Sequence, residues 1–226
     1  MKGRRPGLQK KWAHVVNSLQ RIIPSYEEAS SLISMLEDRR MRSETASFAA
    51  ASGRLVLDLG SGPGTMSRHV ARSDARPVLL DVSRAMLSAS GFPDLVQGVF
   101  EALPFRPGAF DGAVSGFALR DAHDLGAAIQ QVATVLKPGG RFGFCDLGKP
   151  NSQARALMVA LYLRTVPAVV GLATAGRQGL GYGSIFDTYI LVPHNAELAR
   201  LLSGHFASVT VRETQFGGSI VILCQR

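Results

Sequence analysis

The most constraining stretch of this 226-residue chain is Leu55–Gly64, which reads LVLDLGSGPG. A short apolar run ends in an acid, Asp58, and passes into glycines at alternate positions, Gly60, Gly62 and Gly64. A chain that must turn tightly and let its backbone approach a ligand needs positions without a Cβ. The next apolar run, Pro77–Leu80, also ends in an acid, Asp81, and Ser83 then stands as a candidate N-cap. An acid at that separation from the glycine loop is where nucleoside-binding folds put a ribose-binding carboxylate.

The details of the loop narrow the ligand. No Lys-Ser or Lys-Thr follows the last glycine, so this is not a P-loop. The spacing is G-x-G-x-G and not G-x-G-x-x-G, which disfavours a dinucleotide, whose pyrophosphate sits on a helix N-terminus. An adenosine ligand with a cationic sulfonium suits the loop better, with Asp58 turned to its amino-acid end. The alternative is a pair of purely structural strand-end aspartates.

Periodicity organises the rest. Strands are expected at 54–59, 77–80, 112–115, 140–146, 207–213 and 219–223. Helices are expected at 26–42, 66–72, 83–88, 125–136 and 195–203. Lys137-Pro138-Gly139-Gly140 should stop a helix and turn the chain. Strands alternating with helices imply βαβ units and a mostly parallel sheet, an α/β fold. Residues 1–50 form an N-terminal helical segment and 51–226 the main domain, with an apolar cap inserted at about 152–192.

That cap contains Ala156–Ala175, almost wholly apolar with one charge at Arg164. It is long enough to suggest a membrane span. Arg164, Pro167 and Gly171 argue instead for a cap over an apolar pocket, with a surface dipping into lipid as the rival.

Lysine and arginine outnumber the acids 25 to 17, and the net charge is +8. Lys2, Arg4, Arg5, Lys10, Lys11 and Arg21 all precede the first acid, Glu27. Such a bias attracts nucleic acid or an anionic membrane surface, unless it is only a solvated tail. No apolar segment of a secretory leader follows the basic start, so a cytoplasmic protein is expected. Cys145 and Cys224 are far apart in apolar runs and read as buried thiols in a reducing compartment, with no metal implied.

The motifs VLDLGSGPG, LLDVSRAML and LKPGGR resemble those of the class I S-adenosylmethionine methyltransferases. The segments GVFEALPFRPGAFDGAVSGFALRD and LKPGGRFGFCDLGKP are similar, more narrowly, to the ubiquinone/menaquinone biosynthesis C-methyltransferases. Those enzymes carry G-D-A-E-x-L-P-F, S-F-D, F-G-L-R-N, L-K-P-G-G and a later K-P. Tyr26, Ser34 and Asp38-Arg39-Arg40-Met41-Arg42 resemble their Y-D, S and D-R-x-W-R helix. The resemblance spans about 200 residues and is strongest from Val56 to Pro150.

The resemblance implies a Rossmann-like, doubly wound, seven-stranded sheet with helices on both faces and an antiparallel C-terminal strand. It implies S-adenosylmethionine as cofactor. Asp58, Gly60, Ser61, Gly62 and Gly64 would hold the methionine portion, and Asp81 the ribose hydroxyls. Val82, Met86, Val99 and Phe100 would surround the adenine, and Ser115 and Phe117 would line the transfer site. Val99 stands where the family has an aspartate, Phe100 replaces a small residue, Asp121 replaces an asparagine, and Met41 replaces a tryptophan.

C-methylation of a quinol needs a neighbouring hydroxyl to lose its proton so that the ring carbon becomes nucleophilic. Arg120 stays protonated and suits a developing phenolate. Asp121 and His123 are candidate proton acceptors. Tyr26, Arg120 and Tyr182 are expected to contact the substrate, a small molecule or lipid quinol whose prenyl tail the apolar cap would take. Rival acceptors are an oxygen or nitrogen of another small molecule or lipid, or a nucleic acid. The nucleic-acid reading is weakened because 115–118 reads Ser-Gly-Phe-Ala and not N/D-P-P-Y. A non-catalytic binding protein would not need Asp58, the glycines and Asp81 together. A homodimer is left open.

Overall fold

Parallel strands need apolar side chains on both faces and helices to cover them, and the strand sequences here supply that. The computed structural model describes residues 32–34, 37–176, 179, 182 and 184–226. Tyr26 and the basic residues from Lys2 to Arg21 lie outside them. In chain order come α1 (Asp38–Ala50), β1 (Leu55–Leu59), α2 (Thr65–Arg72), β2 (Arg76–Asp81), α3 (Arg84–Ser88), β3 (Leu95–Gln97), β4 (Phe110–Gly116) and a 3-10 turn (Leu119–Asp121). Then follow α4 (Leu125–Val135), β5 (Leu136–Leu147), α5 (Gln153–Ala175), α6 (Ser184–Tyr189), α7 (Asn195–Ser203), β6 (Ser208–Thr214) and β7 (Ser219–Gln225). The strands form one seven-stranded sheet, ordered β3-β2-β1-β4-β5-β7-β6. The pairs from β3 through β5 are parallel, and β7 runs antiparallel to both β5 and β6. This is the expected doubly wound arrangement.

Alternation along β1 decides where the site's acid points. Leu57 and Leu59 enter the larger core with Phe142, Phe144 and Ile222, under α4 and α7. Val56 enters the opposite core with Val114, Cys145 and Val221, under Met41, Ala46 and Ala49 of α1 and Met66 and Val70 of α2. Asp58 shares the Val56 face by the period of two. Its side chain is therefore delivered toward α1 and α2. Cys145 and Cys224 are free, buried thiols, and burial pushes both up to about 12.

One expectation needs correction, and another is only partly described. Of the helix expected at 26–42, residues 26–31, 35 and 36 lie outside the described residues, and 38–42 begin α1, which runs on to Ala50. Ser34 closes a turn ahead of it, its Oγ accepting the Asp38 N–H at 3.3 Å. Lys137-Pro138-Gly139-Gly140 does not leave the sheet: it lies within β5, in the register shift between the pairs Phe110–Leu136 and Gly112–Arg141. The α5 helix runs unbroken through Pro167 for 23 residues. The short β3, half exposed and three residues long, carries too little pattern to be read from sequence.

The α5 helix is apolar on two sides. Val159 and Leu163 pack inward with Leu147 and Tyr189. Leu157, Leu161 and Val169 face outward at 72%, 63% and 67% exposure. By length and composition this helix could cross a membrane.

Candidate active site

The carboxyl ends of β1, β2, β4 and β5 meet at the strand-order reversal, where open α/β sheets bind ligands. A cavity of about 350 Å3 opens there. One end is formed by Gly60, Ser61, Gly62 and Asp81, the other by Leu163, Tyr182 and Ile185 under α5 and α6.

The glycine loop shapes the first end. Gly60 has φ +66, and a Cβ there would lie 2.5 Å from Ala118 Cβ and 2.9 Å from Phe100 Cζ. The Gly60 and Ser61 N–H groups donate to the Leu80 carbonyl at 2.8 and 3.1 Å, tying the loop to β2. Asp81 accepts the Gly62 N–H on Oδ2 and the Ser83 N–H on Oδ1, each at 2.8 Å. Burial raises its pKa, and these backbone donors oppose the rise. Ser83 caps α3, accepting the Met86 N–H at 3.3 Å.

Asp58 lies behind this wall. It is fully buried, and Ser67 Oγ donates to its Oδ2 at 2.5 Å. Burial pushes its carboxyl up to about 7, against the lowering effects of Ser67 and Arg42. Asp58 Oδ1, Ser61 Oγ and Arg42 Nε are buried without a hydrogen-bond partner. Leaving such atoms unsatisfied is costly, and their grouping around the loop fits a polar, zwitterionic ligand end. Val82, Met86, Val99 and Phe100 line the adjoining wall and offer an apolar slot for a base.

At the second end, Phe117 sits at φ +59, a left-handed conformation a phenylalanine rarely adopts. Its N–H donates to the Cys145 carbonyl at 2.8 Å, and its carbonyl accepts Arg120 Nη1. Arg120 Nη1 also donates to Asp146 Oδ1 at 2.7 Å, and Nε donates to Thr188 Oγ1 at 3.3 Å. The same Asp146 accepts the Arg120 N–H on Oδ2 at 3.1 Å. Asp121 Oδ1 lies 3.8 Å from Arg120 Nε. Asp121 and His123 line the cavity with Arg120.

The structure therefore brings Gly60, Ser61, Gly62, Asp81, Val82, Met86, Val99, Phe100, Phe117, Arg120, Asp121, His123 and Tyr182 to one cavity wall. Three expected residues stand behind it. Asp58 is turned to α2. Ser115 is fully buried and donates to the Leu59 carbonyl at 2.9 Å. Gly64 precedes α2 at φ +82, as its N-cap. Sequence reasoning missed Arg42, Asp146 and Tyr162. Asp146 ends β5 as Asp58 ends β1, a pattern that could have marked it. Arg42 ends the Asp38–Arg42 run, but nothing in that run reveals that it is buried.

A sequence profile described as a methyltransferase domain matches residues 57–144. A demethylmenaquinone methyltransferase of Mycobacterium sp. (strain KMS) is 31% identical over 222 residues, covering 97% of this chain and 96% of the relative. One from Mycolicibacterium vanbaalenii is 30% identical with the same coverage of each. The chain belongs to the ubiquinone/menaquinone C-methyltransferase family of class I S-adenosylmethionine-dependent enzymes. Solved folds agree. The plantazolicin methyltransferase BpumL in complex with SAH superposes with a TM-score of 0.64 at 11% identity, covering 97% of this chain and 98% of that one. A possible histamine N-methyltransferase from Thermotoga maritima gives 0.60 at 17%, covering 92% and 98%. As a methyltransferase of this family, the chain takes S-adenosylmethionine as its cofactor, and the glycine-loop end of the cavity fits it in shape and charge.

Proposed function

We propose that this methyltransferase adds a methyl group to a ring carbon of a demethylated polyprenyl quinol, of the kind that leads to menaquinone. The observation that carries this reading is the single cavity that joins the glycine loop to an apolar chamber under α5, with Arg120 between them. The mycobacterial relatives, demethylmenaquinone methyltransferases by name, point the same way.

Bound S-adenosylmethionine supplies an electrophilic methyl group, whose bonding pair stays on sulfur as the new carbon–carbon bond forms. The protein's part is to make the acceptor carbon electron-rich and to hold it in line. Arg120, fixed by Asp146 and Thr188, stabilises negative charge on the quinol oxygen. Asp121 or His123 accepts the hydroxyl proton, and the proton displaced from the methylated carbon leaves to restore the aromatic ring. Asp81 holds the ribose, and Val82, Met86, Val99 and Phe100 enclose the adenine. Phe117 presents its ring at the transfer point. Tyr182, with Leu163 and Ile185, takes the start of the prenyl tail.

The outer face of α5 supports a membrane surface as the site of action. Leu157 and Leu161, one turn apart on the exposed side of α5, offer an apolar face. Met158 and Phe216, the latter 73% exposed, both line the cavity and reach solvent, so its mouth opens beside that surface. This exposed apolar face supports the reading of a peripheral enzyme on the cytoplasmic face of an anionic bilayer, with α5 lying on it. The inward packing of Val159 and Leu163 keeps the helix on the protein.

Loss of the gene should make a prenyl quinone lacking one ring methyl accumulate, with the methylated form depleted. An unchanged quinone pool would refute the proposal.

A further inference from the structure

The turn that joins β6 to β7 holds an aromatic ring out of the core. Gln215 and Phe216 both have left-handed backbones, with φ +51 and +59. Side chains other than glycine persist in that region only where their surroundings impose it. Here they do so on both sides of the ring. Gln215 Nε2 donates to the Ser34 carbonyl, and its Oε1 accepts Ser219 Oγ at 2.8 Å. The Gly218 N–H donates to the Gln215 carbonyl at 3.0 Å, and Asn195 Nδ2 donates to the Gly217 carbonyl at 3.1 Å. Gly218 also lets the turn close on α5, since a Cβ there would lie 2.9 Å from Val159 Cγ2.

The result is a ring fixed at the mouth of the cavity. Phe216 lines the cavity and is 73% exposed, and Met158 of α5 lines it at 47%. A large apolar side chain kept in water by its own backbone gains when something apolar covers it. Because the turn is already held in place, little freedom is lost when that happens. Further in, the Arg120 side chain is only 12% exposed. An acceptor ring held at Arg120 is therefore inside, and a tail attached to it leaves past Phe216 and Met158.

We infer that Phe216 is a specificity-determining residue, covering the first isoprene unit that leaves the cavity and so favouring prenylated acceptors over tailless ones. This rests on the quinol reading above and adds to it a contact outside the chamber of Leu163, Tyr182 and Ile185.

The test is steady-state kinetics in micelles of one nonionic detergent, so that binding to a bilayer does not enter. The acceptors are demethylmenaquinol with a two-isoprene tail and the same ring with a methyl group in place of the tail. Wild type should show a KM for the prenylated quinol lower by about tenfold or more. Phe216→Ser should shrink that preference about tenfold by raising the KM of the prenylated quinol, with its kcat within about twofold. Phe216→Leu, which keeps an apolar side chain, should fall between. Phe216→Gly suits the positive φ, so it should lose the preference as Phe216→Ser does yet melt no lower than wild type. An unchanged preference, or an equal rise in both KM values, would overturn the proposal. A lower melting temperature for Phe216→Gly with the preference intact would make the ring a packing element and overturn it too. Lost flotation of Phe216→Ser with anionic vesicles, with the micellar preference intact, would assign the ring to the bilayer instead. No turnover of either quinol by enzyme that binds S-adenosylhomocysteine would overturn the quinol reading beneath the proposal.

Discussion

The two ends of the cavity are built on different principles. The glycine-loop end is made of strand termini, and its geometry is fixed by backbone: Gly60 and Ser61 bonded to Leu80, Asp81 gripping Gly62 and Ser83. The α5 end is lined mainly by apolar side chains, with Leu163, Ile185 and the ring of Tyr182 at the opening. Arg120 stands between them, tied to β5 through Asp146 and to α6 through Thr188. A site that reads one fixed cofactor can be rigid and polar. A site for a long apolar tail needs surface and shape more than donors.

Substitutions at the two ends should therefore fail in different ways. The largest effect is expected at Gly60. Gly60→Val places atoms into Ala118 and Phe100 at a positive φ, and S-adenosylhomocysteine affinity should drop by about 100-fold or more. Calorimetry checks this, and near-normal binding would mean that the loop is looser than its bonds imply. At the junction, Arg120→Ala should lower kcat by about 100-fold and leave S-adenosylhomocysteine affinity unchanged. Asp146→Asn, acting only through Arg120, should cost less, and the double variant should be no slower than Arg120→Ala alone. Additive losses in steady-state kinetics would give Asp146 a separate role.

At the other end, Leu157→Glu with Leu161→Glu should reduce flotation with anionic vesicles by about tenfold or more. Turnover of a short-chain, water-soluble quinol should stay the same, since neither residue lines the cavity. Undiminished flotation would move the membrane contact elsewhere. A further effect is on stability. Asp58 titrates near 7 in the folded protein against a reference of 3.8. A raised carboxyl pKa favours the folded state most at low pH, so ligand-free protein should lose stability as pH rises from about 4 to about 7 and level off above. Asp58→Asn should flatten that slope in thermal melts. An unchanged slope would place the titration on another group.

The contrast also explains what the sequence disclosed. Strand-end acids and alternating glycines are local, so Asp58, Asp81 and the loop could be read from ten or so residues. Which way Asp58 points depends on β1 lying between two cores, and the sequence does not number the faces. Arg42 looked like one charge in a basic run, and only the crossing of α1 over β4 buries it. Asp146 and Arg120 are 26 residues apart and meet because β4 and β5 are neighbours. The α5 segment gave no period at all, since both its inward and outward sides are apolar. The helix runs through Pro167 while Val159 and Leu163 hold its inner side on the protein.

The most direct test is the position of the transferred methyl. Purified enzyme, demethylmenaquinol in anionic vesicles and S-adenosylmethionine carrying a 13C methyl should give a product whose label sits on a ring carbon, seen by NMR. Label on oxygen or nitrogen, or no labelled quinone from an enzyme that binds S-adenosylhomocysteine, would contradict the account.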